Sequence, residues 1–500
     1  MRDDDAFHPG HLVMVDIQGT SLTPETAAFL RQHRIRAVCL FRKNLGSETE
    51  VRQLTRDLRA VLGPKALIGI DQEGGSVVRA TFLPQAPAAM ALGALGREDA
   101  AEQAGAAVAR GLRDLGINWN FAPVVDVNNN PANPVIAERS FGADPAEVAR
   151  LAAAWMRGSL AEGVACCVKH FPGHGDTHVD SHHALPSVDK SLAELEQLEL
   201  LPFRRLAAQA PAVMTAHIVY PQIDPDFPAT LSTRILRGVL REGMGYDGVV
   251  ITDALMMKAI HERFGHPRAA VLALQAGADM PLAQGTLDEQ AATVQAIAAA
   301  LAEGRLQRAE LQRSVDRLDR LAAAYPADWF PYPEEQRLAD EALMAGLWAR
   351  SLTALGGARP PARGTPLRVV TQTEVVSDGV AEAGPGAADV RRLFDGHPDT
   401  DWVLVDDLAA LDPRTLPEDG RTLVLVSNQR HRYWQHGAAW RPALHLSLWN
   451  PFQVMDIAAP SVVSWGYAPG ALAALRAWLD GAGEAIGVSP VPLPQPERTA

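Results

Sequence analysis

Residues 66–75 read Ala66-Leu67-Ile68-Gly69-Ile70-Asp71-Gln72-Glu73-Gly74-Gly75. Five apolar positions run without alternation and then stop at an acidic residue. An uninterrupted apolar run of this kind suits a strand buried on both faces, as in a parallel sheet covered by helices.

The same unit recurs outward from that stretch. His11–Ile17, Ala37–Phe41, Trp119–Val127, Val164–Val168, Ala212–Ala216, Gly248–Thr252 and, more weakly, Ala276–Pro281 are apolar runs. Between most of them lie stretches of helical period, such as Ser47–Leu62 and Pro145–Glu162. Eight such units within about 280 residues match the arithmetic of a (β/α)8 barrel. A doubly wound open sheet is the alternative that counting runs leaves open.

Past the last run, Thr286–Ala324 and Pro333–Leu355 have helical patterns, and Gly356–Pro366 breaks every regular pattern. Strand-like runs return at Leu367–Thr371, Trp402–Val405, Thr422–Ser427 and Leu444–Leu448, and a helix is expected at Pro469–Leu479. The fold class expected is α/β: a TIM-type (β/α)8 barrel followed by a smaller α/β sandwich domain. The expected division is a catalytic barrel over 1–330, a helical segment and linker over 331–366, and a small α/β domain over 367–490. Residues 491–500 are Pro-rich and read as a disordered tail.

Composition narrows the function classes. A chain of 500 residues exceeds what one core usually holds. At 47% hydrophobic and 21% charged, it is ordinary for a globular protein. A net charge of -13, spread along the chain, disfavours nucleic acid and anionic membrane as partners. Cys39, Cys166 and Cys167 lie in apolar runs and read as small buried hydrophobes rather than a disulfide framework. The start, Met1-Arg2-Asp3-Asp4-Asp5, lacks a basic segment leading into an apolar one, and no apolar stretch is long enough to span a bilayer. These features read as a protein of the reducing cytoplasm. Nothing in the sequence specifies an oligomeric state.

The informative feature is what ends each run. Asp71, Asp126, Lys169-His170, His217 and Asp253 close five separate runs. In a (β/α)8 barrel all strand carboxyl ends open onto one face, so these groups converge on one mouth. A single polar residue at a strand end is ordinary surface. Five together, with carboxylates and bases mixed, favour a pocket.

The densest polar stretch runs from Lys169 to His183 and holds five histidines and two aspartates at positions 170–183. His174, His178 and His182 are four apart, the spacing of ligands on one helical face. Pro172, Gly173 and Gly175 oppose a helix there, so the segment reads as a loop without a metal. Asp180 and His182, two apart, share a side in extended chain, where the carboxylate can set the imidazole tautomer. Asp253 closes the very apolar Val249-Val250-Ile251-Thr252. It is either a cap for the next helix or a carboxylate kept ionised by cations, for which Lys169 and Arg139 are the candidates.

In these residues the chain resembles glycoside hydrolase family 3, and within it the bacterial β-N-acetylglucosaminidase branch. The resemblance rests on Lys169–Pro186 (KHFPGHGDTHVDSHHALP), with Gly69–Arg79, Asn133–Phe141, Thr215–Tyr220 and Ile251–Ile260. It continues more loosely at Ser447–Phe452 and Trp465–Leu479. The resemblance implies that Asp253 is the nucleophile and that His182 is the general acid/base, assisted by Asp180. It further implies that Asp71, Arg139, Lys169 and His170 hold the sugar, with neither metal nor cofactor. Many relatives carry a second acidic residue where this chain has Ala254, and others share the alanine.

The implied activity is retaining, exo-acting removal of terminal β-linked N-acetylglucosamine through a covalent intermediate, with a sugar or muropeptide as substrate. A histidine has a pKa near working pH without special burial, and its neutral form repels an incoming anion less than a carboxylate would. Phosphorolysis of the same bond is therefore an alternative. A barrel that binds sugar without turnover is another, and retention of Asp253, Asp180 and His182 counts against it.

Overall fold

The computed structural model describes residues 7–178 and 185–496. Among them, eight parallel strands close into a barrel: β1 (Met14–Asp16), β2 (Ala37–Leu40), β3 (Leu67–Ile70), β4 (Trp119–Asn120), β5 (Ala165–Phe171), β6 (Ala212–Thr215), β7 (Val249–Ala254) and β8 (Met280–Ala283). Closure is made by β1 against β8, with Met14 opposite Leu282 and Val15 opposite Ala283. That pairing excludes the open-sheet alternative.

The run-and-helix reading translates into packing. Every residue of β2, β3 and β5 is buried, as strands between an interior core and an outer ring of helices must be. The helix Glu48–Leu62 buries Val51, Leu54, Leu58 and Leu62, an inward stripe at helical spacing. Ser47 caps it in a box with Glu50, and Gly63, at φ 85°, ends it. The helix Pro145–Ala161 starts from Asp144, whose side chain accepts the Ala146 and Glu147 amides.

Two boundaries differ from the sequence expectation. Only Trp119–Asn120 of the Trp119–Val127 run forms a strand, with one bridge further on from Val124 to Lys169. Pro123 lies between and has no amide to donate to a ladder. The helical pattern over Pro333–Leu355 ends at Ser351, and Thr353–Leu355 becomes β9.

The second sheet adds β10 (Leu367–Gln372), β11 (Thr400–Val405), β12 (Thr422–Ser427), β13 (Leu444–Ser447) and β14 (Ser461–Val463). Its order is β9-β14-β13-β12-β10-β11, parallel except for the β9–β14 edge. The tail expected to be disordered over 491–500 is packed as far as it is described. Val491 is buried beside Trp348 and Trp465, and the Gln495 amide donates to the Ala459 carbonyl. Burial of apolar Val491 outweighs the lack of regular structure around Pro490 and Pro492. Residues 497–500 lie outside the described residues.

The two domains meet through apolar side chains. Met90, Ala91, Ala94 and Ala137 of the barrel pack with Trp348, Phe452, Val454 and Trp465. Loops that follow β10, β12 and β13 reach segments that follow β3 and β4, so the carboxyl ends of both sheets face each other. Among the described residues no helix is long and apolar enough to cross a membrane.

Candidate active site

A cleft of about 530 Å³ opens where the barrel strands end. Asp71 after β3, Arg139 from the segment after β4, Lys169 and His170 of β5, and Asp253 of β7 all line it. Four strands thus deliver the five expected and described site residues to one space.

Beneath the cleft the charges interlock. The Lys169 ammonium lies 2.6 Å from Asp71 and 2.6 Å from Glu73, and Arg139 meets Glu73 through two nitrogens at 2.9 Å each. Burial by itself would raise the Glu73 pKa; the Arg139 and Lys169 cations overcome it and hold the carboxyl well below its usual range. Burial also disfavours the Lys169 cation, but Asp71 and Glu73 keep its pKa above the ordinary value. Asp71 is the most exposed of the four, with 19% of its side chain accessible, so it is the member most open to the cleft space.

Asp126 organises the second layer. It is fully buried, accepts the His170 Nδ1 proton at 2.7 Å, and accepts the backbone amides of His170 and His174 at 3.1 and 2.6 Å. A carboxylate can only accept, so the proton sits on Nδ1, and His170 turns Nε2 toward Arg139, 3.5 Å away. Burial opposes the Asp126 charge, yet His170 and the amides lower its pKa. His174 is buried against the Thr177 hydroxyl at 2.8 Å; burial, with His170 adding, lowers its pKa to about 4.

Asp253 is held from its own backbone. Its Oδ1 accepts the Ala254 amide at 2.7 Å. The helix after it begins at Lys258, next to Met257, so Asp253 is not that helix's cap. His217 supports the same turn: its Nε2 donates to the Ala254 carbonyl at 3.0 Å, and its Nδ1 faces the Thr230 hydroxyl at 2.8 Å. The cations expected beside Asp253 direct their ion pairs elsewhere. Lys169 pairs with Asp71 and Glu73, and Arg139 with Glu73, because those carboxylates share their buried layer.

Asp180 and His182 lie outside the described residues. What precedes them is irregular chain, in line with the Pro172, Gly173 and Gly175 content, and it is firmly anchored. The Asn133 amide donates to the His174 and Gly175 carbonyls at 2.8 and 3.1 Å. Gly175 packs so closely on the Val127 carbonyl that a Cβ would come within 1.7 Å of it. Lys190 bridges Asp176, at 2.7 Å, and Glu199. Among the described residues no three His, Cys, Asp or Glu side chains form a group that could hold a metal.

Three contributions escaped the sequence reading. Glu73 lies two residues past Asp71 in the same motif, and a buried carboxylate opposite two cations is the signal it offered. Asp126 and His217 close apolar runs of the sequence but lie past the strand ends at Asn120 and Thr215, and they support lining groups rather than line the cleft. The second domain supplies Ser377, Gly379, Val380 and Glu382 to the cleft wall, and Glu382 pairs with Arg79 at 2.9 Å. No local pattern in the sequence announces that approach.

A closed parallel barrel with a charged cleft at its strand ends places the chain among (β/α)8-barrel enzymes. Residues 9–321 match the N-terminal domain of glycosyl hydrolase family 3, and the chain belongs to that family. It is 39% identical over 273 residues to a β-hexosaminidase of Pseudomonas aeruginosa, covering 54% of this chain and 81% of that one. It is 36% identical over 337 residues to β-hexosaminidase A of Pseudoalteromonas piscicida, covering 61% of this chain and just 56% of that longer protein. In structure it is similar to a glycoside hydrolase family 3 β-N-acetylglucosaminidase from Paenibacillus sp. strain FPU-7, 33% identical. There the TM-score is 0.86, over 97% of this chain and 98% of that one.

Proposed function

We propose that the chain is a retaining, exo-acting β-N-acetylglucosaminidase that releases terminal β-linked N-acetylglucosamine, with cell-wall muropeptides in the cytoplasm as its natural substrate. Asp71, Arg139, Lys169 and His170 bind the sugar. Asp253 is the nucleophile, and His182, assisted by Asp180, is the acid/base. The observation that carries the reading is the meeting of Asp253 with Asp71, Lys169, Arg139 and His170 in one cleft. Likeness over both domains to a β-N-acetylglucosaminidase supports the choice of sugar.

The chemistry follows from that arrangement. An Asp253 oxygen forms a bond to the anomeric carbon as the bond to the leaving oxygen breaks, and that oxygen takes the His182 proton. Neutral His182 then accepts a proton from water, whose oxygen displaces Asp253 and leaves the sugar with its original configuration. Asp253 must be ionised to attack, and its Oδ1 is held in place by the Ala254 amide that it accepts.

The test is incubation with a chromogenic β-N-acetylglucosaminide, with and without phosphate, followed by identification of the sugar. Release in plain buffer supports hydrolysis. Release that requires phosphate and yields a sugar 1-phosphate replaces this reading with phosphorolysis. Absence of release, with N-acetylglucosamine still bound, replaces it with a binding barrel. Asp253→Ala is expected to lower kcat by orders of magnitude with the fold intact; full activity in that variant ends the nucleophile assignment.

A further inference from the structure

Arg430 stands at the junction of the two domains, in the loop that follows β12. It is 8% exposed. One guanidinium nitrogen donates to the Val135 carbonyl at 2.7 Å. That carbonyl also accepts from Arg139, at 3.2 Å, four residues along the same segment. The other terminal nitrogen of Arg430 pairs with Asp378. Asp378 in turn accepts the Val380 and Ala381 amides at 2.9 and 2.8 Å, which shapes the loop that supplies Gly379 and Val380 to the cleft.

Neighbouring contacts tie the same two pieces. Arg432 donates to the Pro131 carbonyl at 3.3 Å, and the Trp449 indole donates to buried Glu138, next to Arg139, at 2.8 Å. Val77, Val135, Ile136 and Val380 form a small apolar cluster between them. The segment so clamped, residues 131–139, carries Arg139 at one end and Asn133 near the other, and Asn133 anchors the His174–Gly175 backbone.

We infer that Arg430 is a positioning residue for the sugar site, acting from the second domain on Arg139 and on the loop at 378–381. The inference rests on reading the cleft as the sugar site. A single planar group spans a barrel carbonyl and a second-domain carboxylate, so the two cleft walls it joins keep a fixed separation. Lysine presents one nitrogen and cannot hold both acceptors in that geometry. The second domain therefore acts on substrate affinity: Arg139 and the loop wall meet the bound sugar, whereas Asp253 is held by β7 and His217 inside the barrel.

The experiment compares wild type with Arg430→Gln, Arg430→Lys and Asp378→Asn. Arg368→Gln is the control, since Arg368 is a second-domain arginine paired with Asp401 and Asp419 and absent from the cleft lining. With the chromogenic β-N-acetylglucosaminide, Arg430→Gln and Arg430→Lys are expected to raise KM about tenfold or more with kcat within about threefold, the size of effect expected from a displaced binding group. Asp378→Asn raises KM in the same sense. Arg368→Gln leaves KM unchanged. Hydrogen exchange followed by mass spectrometry supplies a readout that needs no substrate. Peptides covering 131–141 and 374–386 exchange faster in the Arg430 variants than in wild type or in the control. KM within twofold of wild type in every Arg430 and Asp378 variant overturns the inference, as does exchange unchanged at both segments. A wild-type protein inactive on the substrate, with exchange altered as described, sinks the proposed activity and leaves the clamp standing.

Discussion

Glu73 grips Arg139 through both carboxylate oxygens, with Nε on Oε2 and Nη2 on Oε1, each at 2.9 Å. The same Glu73 accepts Lys169 at 2.6 Å, so one buried carboxylate orients two of the cations that line the cleft. Its neutral replacement is the most direct probe of the layer.

Glu73→Gln leaves two buried cations facing the single carboxylate of Asp71. Breaking a buried pair by neutralising one partner costs about 3–5 kcal/mol. Thermal unfolding at neutral pH is expected to show that loss, accompanied by a higher KM. The Glu73 carboxyl is held below its usual range in the folded state, so its stabilisation is present above about pH 4.3 and fades only as pH falls further. A variant as stable as wild type at neutral pH removes the charge-layer argument.

His174 gives a pH dependence of its own. Burial lowers its pKa from 6.5 to about 4, so between those values the unfolded chain binds a proton that the folded one does not. Stability therefore falls as pH drops through that window, by about 3 kcal/mol from this residue. His174→Gln is expected to flatten that part of the stability profile. An unchanged slope between pH 6.5 and 4 contradicts the assignment.

Asp126→Asn separates second-layer support from direct binding. With its oxygen at the Oδ1 position the amide still accepts the His170 and His174 backbone amides, but it presents an NH2 group to the protonated His170 Nδ1. A loss of about 1–3 kcal/mol is expected for the unsatisfied groups. His170 loses its tautomer control, so kcat/KM falls by more than the loss of folded protein explains. Equal kcat/KM per folded molecule argues against a role for Asp126 in setting His170.

Gly175→Ala tests the packing that anchors the chain after β5. The added Cβ would sit 1.7 Å from the Val127 carbonyl, which is backbone and cannot swing aside. Overpacking of this kind costs about 1–3 kcal/mol. The melting temperature drops, and activity drops further, because the shift propagates along the chain toward the proposed acid/base at His182. Wild-type activity in this variant shows that the anchor is dispensable.

The repeating unit of the barrel was legible from Ala66–Ile70 outward, because a strand buried on both faces must be apolar at every position and each helix must carry a stripe. The convergence of Asp71, Lys169, His170 and Asp253 was legible for the same reason: parallel strands put their carboxyl ends on one face. What the sequence alone determined, then, is the periodic part of the molecule and the residues that end each period. Which of those residues face the cleft and which stand behind it was decided by tertiary structure. Asp126 and His217 close apolar runs of the sequence just as Asp71 does, but the packing of the segments that carry them turns them toward His170 and Ala254. The partners of Lys169 and Arg139 were likewise settled in space, by which carboxylates shared their low-dielectric layer. Arg430 meets Val135 and Glu382 meets Arg79 across 295 and 303 residues of chain, from loops with no periodic signal. Hydrogen bonds between segments that distant depend on how two domains dock, and local residue preference carries no record of that docking.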